Sequence, residues 1–312
     1  MSDLILHHYP MSPFAEKVRL ILGFKGLAWR SVQIPSIMPK PDLQALTGGY
    51  RRTPVLQVGA DIYCDTALIC DVLEHRQPAP ALYPPAHKGA ARILAQWADH
   101  QLFTASMAYN FNPAGAPAFF ASQGWTPEAA KAFGIDRAAM RGGAPRMYPA
   151  DAAASYRSYL RRIANILDDQ TWLLGDAPCL ADFAVYHPLW FTRRIPTVAG
   201  IFDATPNVLE WMDRVAAFGH GTAQPLQADE AVAIAAAAEP APLPKEVFQD
   251  EHGIPLGSPV TITAESFGLE ATSGELVAAS RTHYTLRRQD ARAGTVHVHF
   301  PRVGFVLKKA EA

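Results

Sequence analysis

The sequence has few cysteines, little net charge and no long apolar run. Its three cysteines, Cys64, Cys70 and Cys179, do not form an even disulfide framework, and we expect reduced, buried thiols in a reducing compartment. The formal net charge is −1 at pH 7, so no global field gathers nucleic acid or an anionic membrane. These absences exclude a disulfide scaffold and argue against a nucleic-acid partner.

Signals for export or membrane insertion are also missing. The first twenty residues carry Asp3, Glu16 and Lys17 and lack the apolar run and small-residue cleavage site of a signal peptide. The alanine-rich run 231–238 is too short to span a bilayer. We therefore expect a cytoplasmic protein with no membrane partner.

What the sequence does have is three segments of different texture. Residues 1–77 are patterned as strand, helix, strand, irregular segment, hairpin and helix, which predicts an α/β domain with a mixed sheet. A proline-rich linker follows, and residues 88–235 have helical periodicity, which predicts an all-α domain. Residues 248–312 contain short alternating runs, which predict a small all-β, barrel-like domain of five or six strands.

The link between the first strand and the first helix carries the first candidate functional residue. Ser12 precedes Pro13, so Ser12 is predicted to cap the helix and Pro13 to be its first residue. The same hydroxyl is placed to donate to a ligand thiolate at the helix N-terminus. Lowering a thiol pKa by about two units takes ~2.7 kcal/mol, and a hydrogen bond to a charged group contributes ~1.5–3 kcal/mol. Both interpretations stay open.

Two further features of the first segment suit a peptide-like ligand. Thr53-Pro54 stands just before the third strand, and a cis bond there turns the Thr53 N–H and C=O toward a passing peptide. Asp65-Thr66 begins the helix after the hairpin, where Asp is a good cap and free backbone N–H groups can hold a carboxylate. Together with Ser12, these features match the thiol, backbone and carboxylate of one small ligand.

These motifs resemble those of the cytosolic glutathione transferases. The segment Ser12-Pro13-Phe14, the pair Thr53-Pro54 and the pair Asp65-Thr66 fall where that family binds glutathione. The resemblance covers residues 1–235 and implies a thioredoxin-like first domain and an all-helical second domain. It also implies a bacterial detoxification enzyme that acts as a homodimer and uses glutathione as co-substrate.

The resemblance assigns individual roles. Ser12, or Tyr9 three residues before it, is expected next to the glutathione sulfur, with Phe14 in the same site. Thr53 and Pro54 are expected on the cysteinyl backbone, and Asp65 and Thr66 on the γ-glutamyl end. Lys40 and Arg52 are expected near the glycyl carboxylate. In the family's folding motif, Asp182 is present but Cys179 replaces the usual Ser or Thr cap, so Asp182 must carry more of the capping.

A pocket for an apolar electrophile is expected beside the first helices of the second domain. The candidates are Phe103, Met107, Tyr109 and Phe111, each of which is alternatively a core residue. Residues 112–149 are rich in Gly, Pro and Ala and are long for a plain connection, so they form either a lid or an extra helical insertion.

The β segment carries no motif of its own. His297 and His299 alternate on one strand and share a face, but no Cys or carboxylate cluster accompanies them in the sequence, so we predict no metal site. The segment is expected to bind a partner or support a dimer.

Three functions follow from these expectations. The first is conjugation of glutathione thiolate to a small apolar electrophile. The second is a non-catalytic glutathione-binding scaffold whose β domain docks a partner. The third is another glutathione-dependent reaction, such as a lyase, an isomerase or a reductive step.

Overall fold

A computed structural model describes residues 3–243, 247–249 and 251–310 of the chain. The predicted domains 1–77 and 248–312, and the proline-rich break between the second and third segments, include residues 1, 2, 244, 250, 311 and 312, which lie outside this description.

The first segment forms a mixed sheet with helices on its faces. Ser12 caps its first helix and Pro13 begins it, as the sequence predicts. A short helix, α2, was not predicted; it begins at Pro41 and ends before Gly48, whose φ of 82° terminates it. The elements in chain order are β1 (Ile5–His8), α1 (Pro13–Phe24), β2 (Ala28–Gln33), α2 (Pro41–Thr47), β3 (Val55–Val58), β4 (Asp61–Cys64) and α3 (Thr66–Arg76).

The second segment is helical, with one strand that the sequence pattern did not indicate. Residues 112–149 are a helical insertion, because they hold α6 and α7. The elements are α4 (Lys88–Trp97), a π-helical turn (Ala98–Leu102), α5 (Phe103–Asn110), α6 (Gly115–Ser122), α7 (Pro127–Arg141), α8 (Pro149–Leu167), α9 (Leu180–Arg193), α10 (Pro196–Ala199), a 3₁₀ turn (Gly200–Phe202), α11 (Pro206–Ala216), β5 (Thr222–Pro225) and α12 (Ala228–Ala236).

The third segment, which we call the β extension (residues 251–310), contains five strands, as predicted. They are β6 (Pro259–Ala264), β7 (Thr272–Ala279), β8 (His283–Asp290), β9 (Gly294–Pro301) and β10 (Phe305–Lys309). Their neighbouring pairs are antiparallel.

The strands of all three segments join into one sheet. Among the described residues the strand order is β10-β6-β7-β8-β9-β4-β3-β1-β2-β5. Strand β9 pairs in parallel with β4, with Asp61 opposite His297 and Tyr63 opposite His299, and β5 pairs in parallel with β2. The predicted fold class is confirmed, but the strands of the β extension continue the sheet of the first domain, where a small barrel-like domain was expected.

Two cores cover the faces of this sheet. One packs α1 and α3 against the helical domain and includes Val18, Ile69 and Phe183. The other packs α2 and α12 against the sheet and continues through the β extension to Phe300. The three cysteines are free and buried, as expected. Among the described residues, no helix has the length and apolarity needed to span a membrane.

The folding motif of the second domain forms a capping box in which Cys179 takes the place of the usual Ser or Thr and Asp182 is the acidic partner. The buried Asp182 carboxylate accepts hydrogen bonds from the backbone N–H of Cys179 at 2.9 Å and of Leu173 at 3.0 Å. It also accepts one from the Trp211 indole at 2.9 Å. Asp182 therefore links the start of α9 to a loop and to α11.

Candidate active site

Ser12 lies at the N-terminus of α1 and is buried, with 2% of its surface exposed. Its Oγ accepts a hydrogen bond from the Ala15 N–H at 3.2 Å, which is the capping bond that the sequence predicts. The cap uses the oxygen as an acceptor, so the hydroxyl hydrogen remains available for donation. The capping role and a donor role are therefore compatible in this geometry.

Thr53 and Pro54 precede β3 and are joined by a cis peptide bond. Beside them, the Lys40 ammonium donates to Thr53 Oγ1 and to the Arg51 carbonyl, both at 3.2 Å. Burial, reinforced by the nearby Arg137 and Arg51 guanidinium groups, lowers the pKa of Lys40 to about 7. Lys40 thus gains stabilisation of its charged form from any anion that binds here.

Asp65 and Thr66 begin α3 in a geometry that sequence reasoning only partly foresaw. Asp65 caps the helix by accepting the Ala67 N–H at 2.9 Å, and its φ of 75° is a left-handed conformation that is uncommon for a non-glycine residue. Thr66 Oγ1 accepts a hydrogen bond from the Lys17 ammonium at 3.1 Å. Strained backbone of this kind concentrates at ligand-binding sites.

A buried charge network joins the first domain to the helical domain, and sequence reasoning missed it. Lys17 of α1 donates to Asp99 at 2.7 Å, and His187 of α9 contacts the other Asp99 oxygen at 2.9 Å. Burial, the largest single influence, lowers the pKa of Lys17, but the attraction of nearby negative groups, led by Asp99, outweighs it and the net shift is upward. Asp99 lies in the π-helical turn, an irregularity common at functional sites.

Helix α7 of the insertion is fastened over the first domain. Arg137 donates to the Tyr9 hydroxyl at 3.2 Å and to the Ser36 carbonyl at 2.8 Å. Asp136 accepts the Met38 N–H at 3.2 Å and forms an ion pair with Arg51. The structure thus gives the insertion the position of a lid. It also places the Tyr9 hydroxyl in contact with a cation on that lid.

The loop that connects β6 to β7 brings the β extension to Arg51 and Arg52, which with Lys40 form what we call the rim of the site. Arg52 donates to the Phe267 carbonyl at 2.6 Å and to the Ser266 carbonyl. Arg51 pairs with Glu270 at 2.8 Å, and the Gly268 N–H donates to the Met140 carbonyl of α7 at 2.6 Å. Part of the Arg52 guanidinium is therefore engaged by this loop, while Lys40 points to Thr53.

The four candidates for the electrophile pocket occupy different surroundings. The Phe103 ring packs on the Phe14 ring with centroids 4.7 Å apart and the rings tilted by 49°. Tyr109 donates its hydroxyl to the Val198 carbonyl at 3.1 Å and packs on Tyr156. Met107 and Phe111 belong to an apolar cluster that also holds Met11, Tyr109, Phe119, Phe120 and Phe191.

This apolar cluster begins next to Ser12, because Met11 is its first member. Trp125 and Phe133 of the insertion extend it through ring contacts with Phe120 at 5.7 and 6.0 Å. The cluster therefore lies between the start of α1 and the lid.

The residues that sequence reasoning missed are charged groups whose partners are distant in the chain: Lys17, Asp99, Asp136, Arg137 and Glu270. Among these residues, Asp99 could have been found from its sequence neighbours. It lies beside Trp97 and Leu102 on a predicted helix, and a carboxylate buried there needs a paired charge or hydrogen-bond donors.

The chain resembles known proteins in both sequence and structure. Residues 6–81 match the family described as glutathione S-transferase, N-terminal domain, and residues 136–218 match glutathione S-transferase, C-terminal domain. A solved GST-like protein from Pseudomonas syringae is 46% identical with a TM-score of 0.84, over 99% of this chain and 100% of that chain.

More distant similarities agree in fold. FtsZ-localized protein A from Caulobacter vibrioides is 27% identical over 192 residues, which are 57% of this chain and 72% of that protein. A glutathione S-transferase structure from Rhodospirillum rubrum is 21% identical with a TM-score of 0.52, over 68% of this chain and 87% of that chain.

Proposed function

This chain belongs to the glutathione S-transferase family, and from that premise we propose that it conjugates glutathione to a small apolar electrophile. The observation that carries the proposal is the buried Ser12 hydroxyl at the N-terminus of α1, whose oxygen caps the helix while its hydrogen is available to a thiolate. We further propose that the protein is cytoplasmic and acts as a homodimer.

The proposed chemistry needs a thiolate near neutral pH. The Ser12 hydroxyl donates to the sulfur, and the α1 N-terminus adds ~0.3–1 kcal/mol of favourable interaction with the negative charge. The thiolate attacks the electrophilic carbon, a C–S bond forms, and the leaving group departs with the electrons of its bond to carbon. Tyr9 is the alternative donor, and its hydroxyl already accepts a hydrogen bond from Arg137.

The residues around Ser12 suit the rest of the glutathione molecule. Thr53 supplies backbone N–H and C=O groups for the cysteinyl unit, next to Pro54. The N-terminus of α3, at Asp65 and Thr66, suits the γ-glutamyl end. Lys40, with Arg51 and Arg137 nearby, forms a cationic region for the glycyl carboxylate.

The apolar cluster supplies the second substrate site. Phe103 and Phe14 lie outside the cluster and contact the His187 ring of α9, whereas Met107 and Phe111 belong to it. A flat aromatic or alkyl electrophile fits such a lining, since recognition there depends on apolar contact more than on specific hydrogen bonds.

Turnover of 1-chloro-2,4-dinitrobenzene with glutathione tests the proposal. Ser12→Ala is expected to lower kcat/KM at least tenfold, because one hydrogen bond to a charged group contributes ~1.5–3 kcal/mol. Ser12→Thr keeps both the hydroxyl and the cap and is expected to retain most activity. Tyr9→Phe is the matched test of the alternative donor.

Capping and catalysis must be separated in this experiment. The affinity for S-methylglutathione, which has no free thiol, reports whether Ser12→Ala preserves the site. If the enzyme turns over and Ser12→Ala matches wild type while Tyr9→Phe is inactive, the thiolate role passes from Ser12 to Tyr9.

A second candidate function is a glutathione-binding scaffold with a protein partner. One relative is named for its localisation with FtsZ, and the β extension exposes apolar side chains, including Phe267, Leu269 and Val303. This candidate predicts binding to immobilised glutathione without turnover of any electrophile in a panel. Turnover of lyase, isomerase or reductive substrates would instead support the third possibility.

A further inference from the structure

Three potential metal-binding side chains meet where the β extension joins the first domain. Strands β4 and β9 pair in parallel, with Asp61 opposite His297 and Tyr63 opposite His299. Residues 297 and 299 are two apart on β9, so their side chains share one face of the sheet, and the opposed residues of β4 point to that same face. The carboxylate that meets these two histidines therefore comes from the first domain.

Both imidazoles approach the same carboxylate oxygen. His299 Nε2 lies 2.9 Å and His297 Nδ1 lies 3.8 Å from Asp61 Oδ1. One donor atom from each residue falls within 4.8 Å of the others. Zinc binds His nitrogen at about 2.0–2.1 Å and carboxylate oxygen at about 2.0–2.2 Å, so donors about 3–4 Å apart surround such an ion.

The hydrogen bonds around these side chains orient the donors and leave one of them without a partner. His299 Nδ1 contacts Thr285 Oγ1 at 2.9 Å, and Asp61 Oδ2 accepts the Ala241 N–H at 2.8 Å. The Tyr63 ring stacks on His299 at 4.5 Å. Within the described part of the chain, His297 Nδ1 is buried and has no hydrogen-bond partner, which is an arrangement that native structures rarely tolerate.

We propose that Asp61, His297 and His299 form a Zn²⁺ site that joins the β extension to the first domain. Two imidazoles and one carboxylate are a ligand set with which proteins bind Zn²⁺. Thr285 and the Ala241 N–H act as its outer shell, holding the His299 ring and the carboxylate in place. Three protein ligands leave a fourth position for water.

Nearby charge does not oppose this assignment strongly. Arg287 lies opposite His297 in the β8–β9 pairing, but its guanidinium is paired with Glu275 at 2.6 Å. The bound ion and Asp61 together leave one net positive charge. The alternative is a plain hydrogen bond between Asp61 and His299, with no role for His297; that arrangement predicts no metal dependence.

Direct metal binding by the full chain tests the proposal. Protein without a histidine tag is treated with a chelator and titrated with Co²⁺, whose visible ligand-field absorption reports a tetrahedral site, and with Zn²⁺ by calorimetry. We expect about one ion per chain. His297→Gln is expected to weaken Zn²⁺ binding at least ~100-fold, since losing even an outer-shell partner costs about 10–100-fold.

His252→Gln is the matched control, because it removes an exposed histidine of the same extension and should bind Zn²⁺ as wild type does. Zn²⁺ is expected to raise the thermal midpoint of wild type and of His252→Gln but not of His297→Gln. Wild-type protein that binds no stoichiometric Zn²⁺, or His297→Gln that binds it equally well, overturns the proposal. Neither readout depends on glutathione or on turnover.

Discussion

The junction between the first domain and the helical domain differs from the junction between the first domain and the β extension in the interactions that hold it. The first domain meets the helical domain through a buried ion pair, Lys17–Asp99, whose side chains are 1% and 13% exposed. The extension meets the first domain through backbone contacts, rim ion pairs such as Arg51–Glu270, and the β4–β9 pairing. We therefore expect substitutions at the two junctions to have different effects on stability and on ligand affinity.

The difference also bears on the proposed active site. Lys17 of α1, which pairs with Asp99 of the helical domain, also donates to Thr66, whereas the loop between β6 and β7 accepts a hydrogen bond from Arg52. The junction with the helical domain thus holds the N-terminus of α3 in place. The junction with the extension holds Arg52 at the rim. Disturbing the first junction should cost the most stability, while disturbing the second should act on ligand affinity.

Breaking the buried Lys17–Asp99 pair should lower the free energy of unfolding more than the other substitutions do. Lys17→Met leaves Asp99 buried with only His187 and should lower the free energy of unfolding by about 3–5 kcal/mol. At the extension junction, Arg292→Met breaks the pair with Asp42 of α2, whose side chains are 48% and 33% exposed, and should cost less than ~1 kcal/mol. Urea unfolding measures both variants.

A double variant sharpens this test. Lys17→Met combined with Asp99→Asn removes both charges, so part of the loss should be recovered relative to Lys17→Met alone. If Lys17→Met and Arg292→Met lose equal stability, the junctions do not differ in the way that their burial indicates.

The next effect comes from the extension junction, where two backbones approach closely. A Cβ atom on Gly49 would lie 2.0 Å from the Ala271 carbonyl oxygen, so Gly49→Ala forces the segment beside Glu270 away from the first domain. We expect a loss of about 1–3 kcal/mol and faster hydrogen exchange in the loop between β6 and β7. Glutathione affinity should fall as Arg51 and Arg52 lose their partners.

Gly134→Ala is the control for this variant, because a Cβ atom on Gly134 of α7 would meet open space, with no neighbouring atom of the described residues within 4 Å. It should leave exchange in the loop unchanged and stabilise the helix slightly. Unchanged exchange and affinity in Gly49→Ala would contradict a rim role for the extension.

The sequence predicts the features that depend on residues close together in the chain. Ser12-Pro13 marks a helix start, Thr53-Pro54 a strand start and Asp65 a cap, because turn and cap chemistry acts over a few residues. The resemblance drawn from these motifs is confirmed at the level of family and fold. The five strands of the extension were likewise visible in their alternation.

What escaped prediction depends on contacts between distant residues. The carboxylate that meets His297 and His299 is distant in the chain, since Asp61 joins them only through the β4–β9 pairing. The short strand β5 has no apolar alternation, and its exposed residues form a strand only because β2 offers an open edge. Nothing in a single sequence specifies which edges meet.

The smallest effect concerns Lys40 and the pH dependence of ligand binding. Its pKa of about 7 means that the ammonium form dominates below pH 7 and is lost above it. A bound glycyl carboxylate favours the charged form, so affinity for S-methylglutathione should be highest at about pH 6 and decline several-fold by about pH 8. Calorimetry across this range measures the decline.

Lys40→Arg stays charged throughout that range, so the difference between its profile and that of wild type isolates the titration of Lys40. A wild-type profile that stays parallel to that of Lys40→Arg would remove Lys40 from the carboxylate site and transfer that role to Arg51 or Arg137. A profile that instead rises with pH would mean that the ligand prefers neutral Lys40 as a hydrogen-bond acceptor. The sign of the slope of affinity against pH thus decides whether Lys40 binds the ligand through its charge. If it does, the ion pairs between the extension and Arg51 would modulate that affinity.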